Sequence, residues 1–141
     1  MRTQASQAGV GADQVAWMTE GQSLRLLARL EDWSAGALVA GAFPAANAWD
    51  LQLYEDGELV YELYGNTNVS SGSGNTILGL IATTPSVTGW NVDGVGFTFA
   101  DTFTVGRYVM LVGRRYELRY VFHSTSYGDI KWSVWVEPVS G

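Results

Sequence analysis

The sequence predicts an all-β fold, a jelly-roll-like antiparallel sandwich of about eight short strands. Three observations predict it. Apolar residues recur at alternate positions in segment after segment, clusters of Gly, Pro, Asn and Asp separate those segments, and no stretch sustains a 3.6-residue period. Only Gln14–Arg29 is open to misreading as a helix. An immunoglobulin-like sandwich is the alternative winding.

The elements follow in order. Residues 1–16 are rich in Gln, Ala, Ser and Gly without a helical or strand period, so they are expected to form an extended, loose N-terminal arm. Residues 17–141 are then one domain, a size able to enclose its own core. "SLRLLARLED" sets Leu24, Leu26, Ala28 and Leu30 against Arg25, Leu27, Arg29 and Glu31, a strand pattern. "ALVAGAF" is a short apolar run stopped by Pro44, and "TILGLIATTP" a buried-looking strand stopped by Pro85. Between them "GNTNVSSGSGN" reads as a polar, glycine-rich loop. "GVGFTFADTFTV" supplies β-formers, with glycines at its start that fit a bend or bulge.

Two hairpins carry most of the pattern. In "WDLQLYEDGELVYEL", a two-residue loop at Asp56-Gly57 places Trp49, Leu51 and Leu53 on the opposite face from Leu59, Tyr61 and Leu63. A three-residue loop, Glu55-Asp56-Gly57, pairs Leu53 with Leu59, Leu51 with Tyr61 and Trp49 with Leu63, and gathers all six on one face. The three-residue loop is therefore expected, with Asp50 directly opposite Glu62 on the outer face. In "RYVMLVGRRYELRYVF", Gly113-Arg114 fits a type II′ loop. Val109 and Leu111 then face inward with Tyr116 and Leu118, while Tyr108, Met110 and Val112 lie outward opposite Arg119, Glu117 and Arg115. The last strand, "DIKWSVWVEPV", turns Ile130, Trp132, Val134 and Val136 inward and Trp135 outward.

Composition narrows the function classes. The chain has no cysteine, which removes disulfides and thiolate metal sites. Its net charge of −6 argues against binding a phosphate backbone, so no nucleic-acid partner is expected. No apolar run approaches the ~20 residues that cross a bilayer, and residues 1–14 contain no apolar signal core, so a cytoplasmic folding site and no membrane partner are expected. The charge is also divided along the chain. Asp50 to Asp101 holds seven acidic residues and no basic one, whereas Arg107 to Lys131 holds five basic residues against two acidic ones. Either the sheets lay these segments side by side and the charges cancel, or two charged patches dock on neighbouring molecules.

Catalytic groups are sparse. The five carboxylates of Trp49–Leu63 invite a glycosidase reading, because two carboxyls flanking a bond is what that chemistry requires. Raised pKa values need burial, however, and a solvated or recognition face is the simpler reading. His123 is the single histidine, placed on an outer face before the "STSYGD" turn, and no serine stands at nucleophile-elbow spacing. One histidine without cysteine does not make a zinc site, and "NVDG" lacks the alternating oxygens of a calcium loop. A non-enzyme without cofactor or metal is expected. Of six tryptophans, Trp49 and Trp132 fall on core faces, while Trp33, Trp90 and Trp135 remain candidates for contact with a protein or a sugar. The expected partner-binding residues are Tyr108, Met110, Arg114, Arg115, Arg119 and Trp135, with the acidic Asp50, Glu58 and Glu62.

The arm "MRTQASQAGVGADQ", the paired hairpins and the terminal "IKWSVWVEPV" give the chain a family likeness. It resembles the cement (decoration) proteins of tailed-phage capsids, nearest in style to the jelly-roll type of a short-tailed Bordetella phage. The resemblance spans the whole chain in style and rests on no diagnostic motif. It implies a structural protein of the virion, made in the host cytoplasm, that binds the outside of an assembled capsid. The implied partner is the major capsid protein, bound by a homo-oligomer, with a dimer favoured, that clamps neighbouring capsid subunits. A non-catalytic carbohydrate-binding module is the alternative.

Overall fold

A computed structural model describes residues 4–8, 14–19, 24–32, 36–45, 47–64, 76–82 and 97–140. They form strands β1 (Gln4–Ala8), β2 (Gln14–Thr19), β3 (Leu24–Asp32), β4 (Gly36–Ala37), β5 (Trp49–Glu55), β6 (Glu58–Tyr64), β7 (Thr76–Ala82), β8 (Phe97–Phe103), β9 (Tyr116–Ser124) and β10 (Gly128–Val139). One 3-10 turn lies at Ala40–Ala42. One sheet has the order β1-β3-β8-β7 with the short β4 on β3, and the other has the order β2-β10-β9-β5-β6.

The all-β, two-sheet sandwich is the one the sequence predicts. Setting aside β1, β2 and β4 leaves β3-β8-β7 packed on β10-β9-β5-β6. Lettered B, C, C′, D, E, F and G in chain order, these seven strands give sheets B-E-D and G-F-C-C′. That is the immunoglobulin-like winding, the alternative to the jelly roll. Two further strands begin in the segment expected to be a loose arm: β1 lies within it and runs parallel to β3, and β2 takes its last three residues together with residues 17–19 and runs parallel to β10, with Val15 opposite Trp135. Sheet pairing uses main-chain groups, so an edge can take up residues with no apolar period. Of the "ALVAGAF" run only Ala37 is strand, joined with Gly36 in the two-residue β4, before the 3-10 turn, with Leu38 and Phe43 buried. The "GNTNVSSGSGN" loop and "NVDG" lie outside the described residues.

Alternation builds the core as expected. Tyr116, Leu118, Tyr120 and Phe122 of β9 and Ile130, Trp132, Val134 and Val136 of β10 are buried, and their registers pair Tyr120 with Trp132 and Leu118 with Val134. From the facing sheet, Leu24, Leu26, Ala28 and Leu30 of β3 and Phe99 and Phe103 of β8 point inward. Phe99 sits at the centre. Its ring meets Phe122 at 4.7 Å, Trp49 at 5.1 Å and Tyr120 at 5.5 Å, each near edge-on, the favoured geometry for aromatic quadrupoles.

The first hairpin differs from the expectation in an instructive way. Its tip is the two-residue Asp56-Gly57 turn, with Glu55 opposite Glu58 and Tyr54 opposite Leu59. Asp56 and Gly57 both have positive φ, 48° and 89°, which an Asp-Gly pair tolerates and a right-twisted hairpin favours. A bulge beyond Leu53 then shifts the register by one, so Leu53 faces Tyr61 and Leu51 faces Leu63. The apolar residues are reunited by the bulge, not by a longer loop. Leu59, on the tip side of the bulge, is left exposed.

The second expected hairpin does not form. Residues 104–115 are a connecting loop, and β9 pairs with β5 and β10 instead. The loop's path is fixed by a buried carboxylate. Asp101 of β8 is fully buried and takes a bidentate pair of hydrogen bonds from Arg107, both 2.8 Å, and a third from the Tyr120 hydroxyl at 2.6 Å. Burial opposes the charge on Arg107, yet its pairing with Asp101 leaves its pKa raised, and burial with the nearby carboxylate drives the Tyr120 phenol well above its usual range. Past Arg107, Met110 enters the core and Val109, Leu111 and Val112 face outward. The Tyr116 hydroxyl accepts the Leu111 N–H at 2.8 Å, a tie from the start of β9 back to the preceding loop like the tyrosine corner of immunoglobulin-like folds.

This pairing sets up a stability test. Removing one partner of a buried ion pair strands the other, so Arg107→Met is expected to cost about 3–5 kcal/mol in chemical denaturation. Arg119→Met, which removes an exposed arginine, is expected to cost under about 1 kcal/mol. Equal losses would show that the Asp101 pair is not what holds the loop.

Candidate protein-binding face

The outer face of the larger sheet is assembled from alternate residues of four adjacent strands. Register places Trp135, Glu117, Tyr54 and Leu59 in one row, and Ser133, Arg119, Gln52 and Glu62 in the next. The third row is Lys131, Val121, Asp50 and Tyr64. Asp50 therefore faces Tyr64, and Glu62 faces Gln52; the expected Asp50–Glu62 pair, which a three-residue loop would have made, does not form. Tyr64 donates its hydroxyl proton to Glu62 instead.

Arginines on this face lie over aromatic rings. The Arg119 guanidinium sits 4.1 Å from the centre of the Tyr54 ring and pairs with Glu117 at 2.9 Å. Arg115 lies 4.4 Å over Trp135 and 3.6 Å from Glu137. At the hairpin tip the Asp56 N–H donates to the Arg115 carbonyl at 2.8 Å, and the Arg115 N–H to the Asp56 carboxylate at 3.0 Å. Arg114 stands between Glu55 and Asp56, at 3.6 and 3.7 Å. The acidic hairpin and the basic strand are thus neighbours, because β5 pairs with β9, and much of their charge is compensated locally.

The residues expected to bind a partner fall into three places. Asp50, Glu62, Arg119 and Trp135 share the outer face, with Arg115 at its rim. Tyr108, Arg114 and Glu58 gather at the end of the sandwich around Glu55, which accepts hydrogen bonds from Tyr108 at 3.5 Å and Tyr116 at 2.6 Å. Burial and the Glu55 bond push the Tyr116 phenol up to about 12. Met110 is only 2% exposed and is a core residue, because the loop points it inward where a strand would have pointed it out. Trp33 and Trp90 lie outside the described residues.

Sequence reasoning missed the setting of His123. Its Nε2 is 2.8 Å from Asp50 and its Nδ1 is 2.9 Å from Asp129. Counting back through the "STSYG" turn from Ile130 would have placed Asp129 opposite His123, as the ladder does. The partnerships of Arg119 with Tyr54 and of Arg115 with Trp135 needed the order of strands, which periodicity does not carry. Among the described residues no group of three or more His, Asp or Glu side chains is arranged to hold a metal ion.

Exposed arginine–aromatic stacks are worth about 0.5–1 kcal/mol. A double-mutant cycle on Arg119→Ala and Tyr54→Ala is expected to return a coupling of that size by chemical denaturation. Additive single losses would mean the two side chains do not hold this arrangement in solution. Comparison with family models, with curated proteins and with solved structures gave no match.

Proposed function

We propose that the protein is a non-catalytic structural protein of a phage virion, which docks on an assembled capsid through the outer face of its larger sheet. The observation that supports this reading is the pair of arginines laid over aromatic rings, Arg119 on Tyr54 and Arg115 on Trp135, beside the exposed Leu59 and Tyr64. Arginine, tyrosine and tryptophan are the residues that anchor protein interfaces, and stacking limits the rotamer entropy lost on docking. The capsid as partner comes from the resemblance of the sequence to cement proteins. A protein that binds only the assembled shell stabilises it by mass action, and a homo-oligomer engaging several subunits at once gains avidity without any single strong contact.

One feature weighs against the carbohydrate-binding alternative. Sugar rings stack on open indoles, and Arg115 already covers one face of Trp135. The carboxylates of the acidic hairpin also have other partners: Asp50 meets His123, Glu62 meets Tyr64, and Glu55 meets Tyr116.

Charge should set the approach and orientation of docking while apolar contacts hold the complex. Arg115→Glu with Arg119→Glu is expected to slow association with stripped capsid shells steeply at low salt. The effect should shrink once screening acts over about 8 Å at physiological ionic strength. Association at the wild-type rate at every salt concentration would remove this face from the docking surface. A second test addresses chemistry. Asp50→Asn and Glu62→Gln are expected to retain the fold, and a broad glycoside screen of the parent protein to show no turnover; turnover abolished by either change would restore the enzyme reading.

A further inference from the structure

We propose that His123 is a proton-operated clasp: only its doubly protonated ring can join β5, through Asp50, to the start of β10, through Asp129. The inference stands apart from the docking reading and follows from hydrogen-bond bookkeeping. Each ring nitrogen lies within 3 Å of a carboxylate oxygen, 2.8 Å for Nε2 and 2.9 Å for Nδ1. An ionised carboxylate is an acceptor only, so each of these contacts needs an N–H on the ring. Neutral imidazole has one N–H, and the imidazolium has two.

The surroundings favour that cation. Hydrogen bonds donated by the ring to Asp50 and then to Asp129 raise the His123 pKa, against a smaller opposing effect of burial. Of the other groups near the clasp, Tyr64 of β6 stands opposite Asp50 and is bonded to Glu62, and Lys131 of β10 stands opposite Val121, one row away. Lys131 is thus the one nearby cation among the described neighbours, and two carboxylates touch the ring directly. Neutral Ala48 receives the His123 main-chain N–H at 2.9 Å.

When the proton leaves, one contact must break, and the geometry selects which. Asp50 lies inside β5, paired on both sides with Val121 and Tyr64, and its side chain is 32% exposed. Asp129 is the second residue of β10, next to Gly128, whose φ is +76°, and its side chain is 55% exposed. The neutral ring keeps its N–H on Nε2 for Asp50 and releases Asp129. Release bears on the β9–β10 turn, which is otherwise held by Thr125 N–H and Ser124 Oγ donating to the Ala42 carbonyl and by Tyr127 N–H donating to Ser124 Oγ. The sign follows from linkage. A folded-state pKa above the unfolded value makes the stabilisation complete below about 6.5, and it is lost as pH rises through the folded value.

The single histidine makes the test clean. Nitrogen-15 NMR of the imidazole is expected to show a midpoint above the ordinary 6.5, two protonated nitrogens below it and the Nε2–H tautomer above it. Asp129→Asn should lower the midpoint and leave that tautomer in place, and Asp50→Asn should lower it too. Amide exchange at Thr125–Gly128, corrected for intrinsic rates, should quicken through the midpoint in the parent protein and show no such step in His123→Gln. A midpoint at or below 6.5 overturns the clasp. So does turn protection that ignores the midpoint, or an Asp129→Asn titration identical to the parent's.

Discussion

The fold turns on one desolvated carboxylate. Asp101 is fully buried on the inward face of β8, opposite Leu26, where an unpaired charge would be costly. Arg107 answers both of its oxygens, and Tyr120, from the facing sheet, donates to one of them. A single side chain thereby ties the two sheets together and draws the loop after β8 back across the end of the sandwich. With Arg107 held, Met110 drops into the core and Tyr116 secures the Leu111 N–H, so the chain enters β9 from a fixed direction. The strand expected over residues 107–112 is precluded by this anchoring.

The β5–β6 hairpin shows how two local preferences in conflict are both met. Asp56-Gly57 is a strong two-residue turn, and apolar patterning demands a register that such a turn alone does not give. The extra residue of the bulge restores Leu51 and Leu53 to the side of Tyr61 and Leu63 and abandons only Leu59. The resulting register sets Asp50 opposite Tyr64 and Glu62 opposite Gln52 on the outer face, so the like-charge pair that a three-residue loop would have made does not form, and Asp50 meets His123.

The outer face inherits its character from strand order. β5 lies between β6 and β9, so an acidic hairpin is laid against an arginine-bearing strand and the charge asymmetry of the chain is folded away. What the face then presents is a set of side chains already paired with one another: Arg119 on Tyr54 and Glu117, Arg115 on Trp135 and Glu137, His123 between two aspartates. In the proposed docking, such prior pairing would limit what electrostatics adds to affinity and leave rate and orientation as its main contributions.

The sequence by itself determined the all-β class, the inward faces of β3, β5, β9 and β10, the outward position of Trp135 and the turn before Gly128. Each of these follows from period-two alternation and local turn chemistry, which act over a few residues and can be read along the chain. Tertiary structure alone decided the immunoglobulin-like winding, the loop at residues 104–115, the burial of Met110, and the partners of Arg107, Arg119 and His123. These depend on which strands become neighbours, and contacts such as Tyr116 with Glu55 or His123 with Asp50 join residues 61 and 73 positions apart. Alternation fixes which way a side chain points; only the closing of the sandwich fixes what it meets.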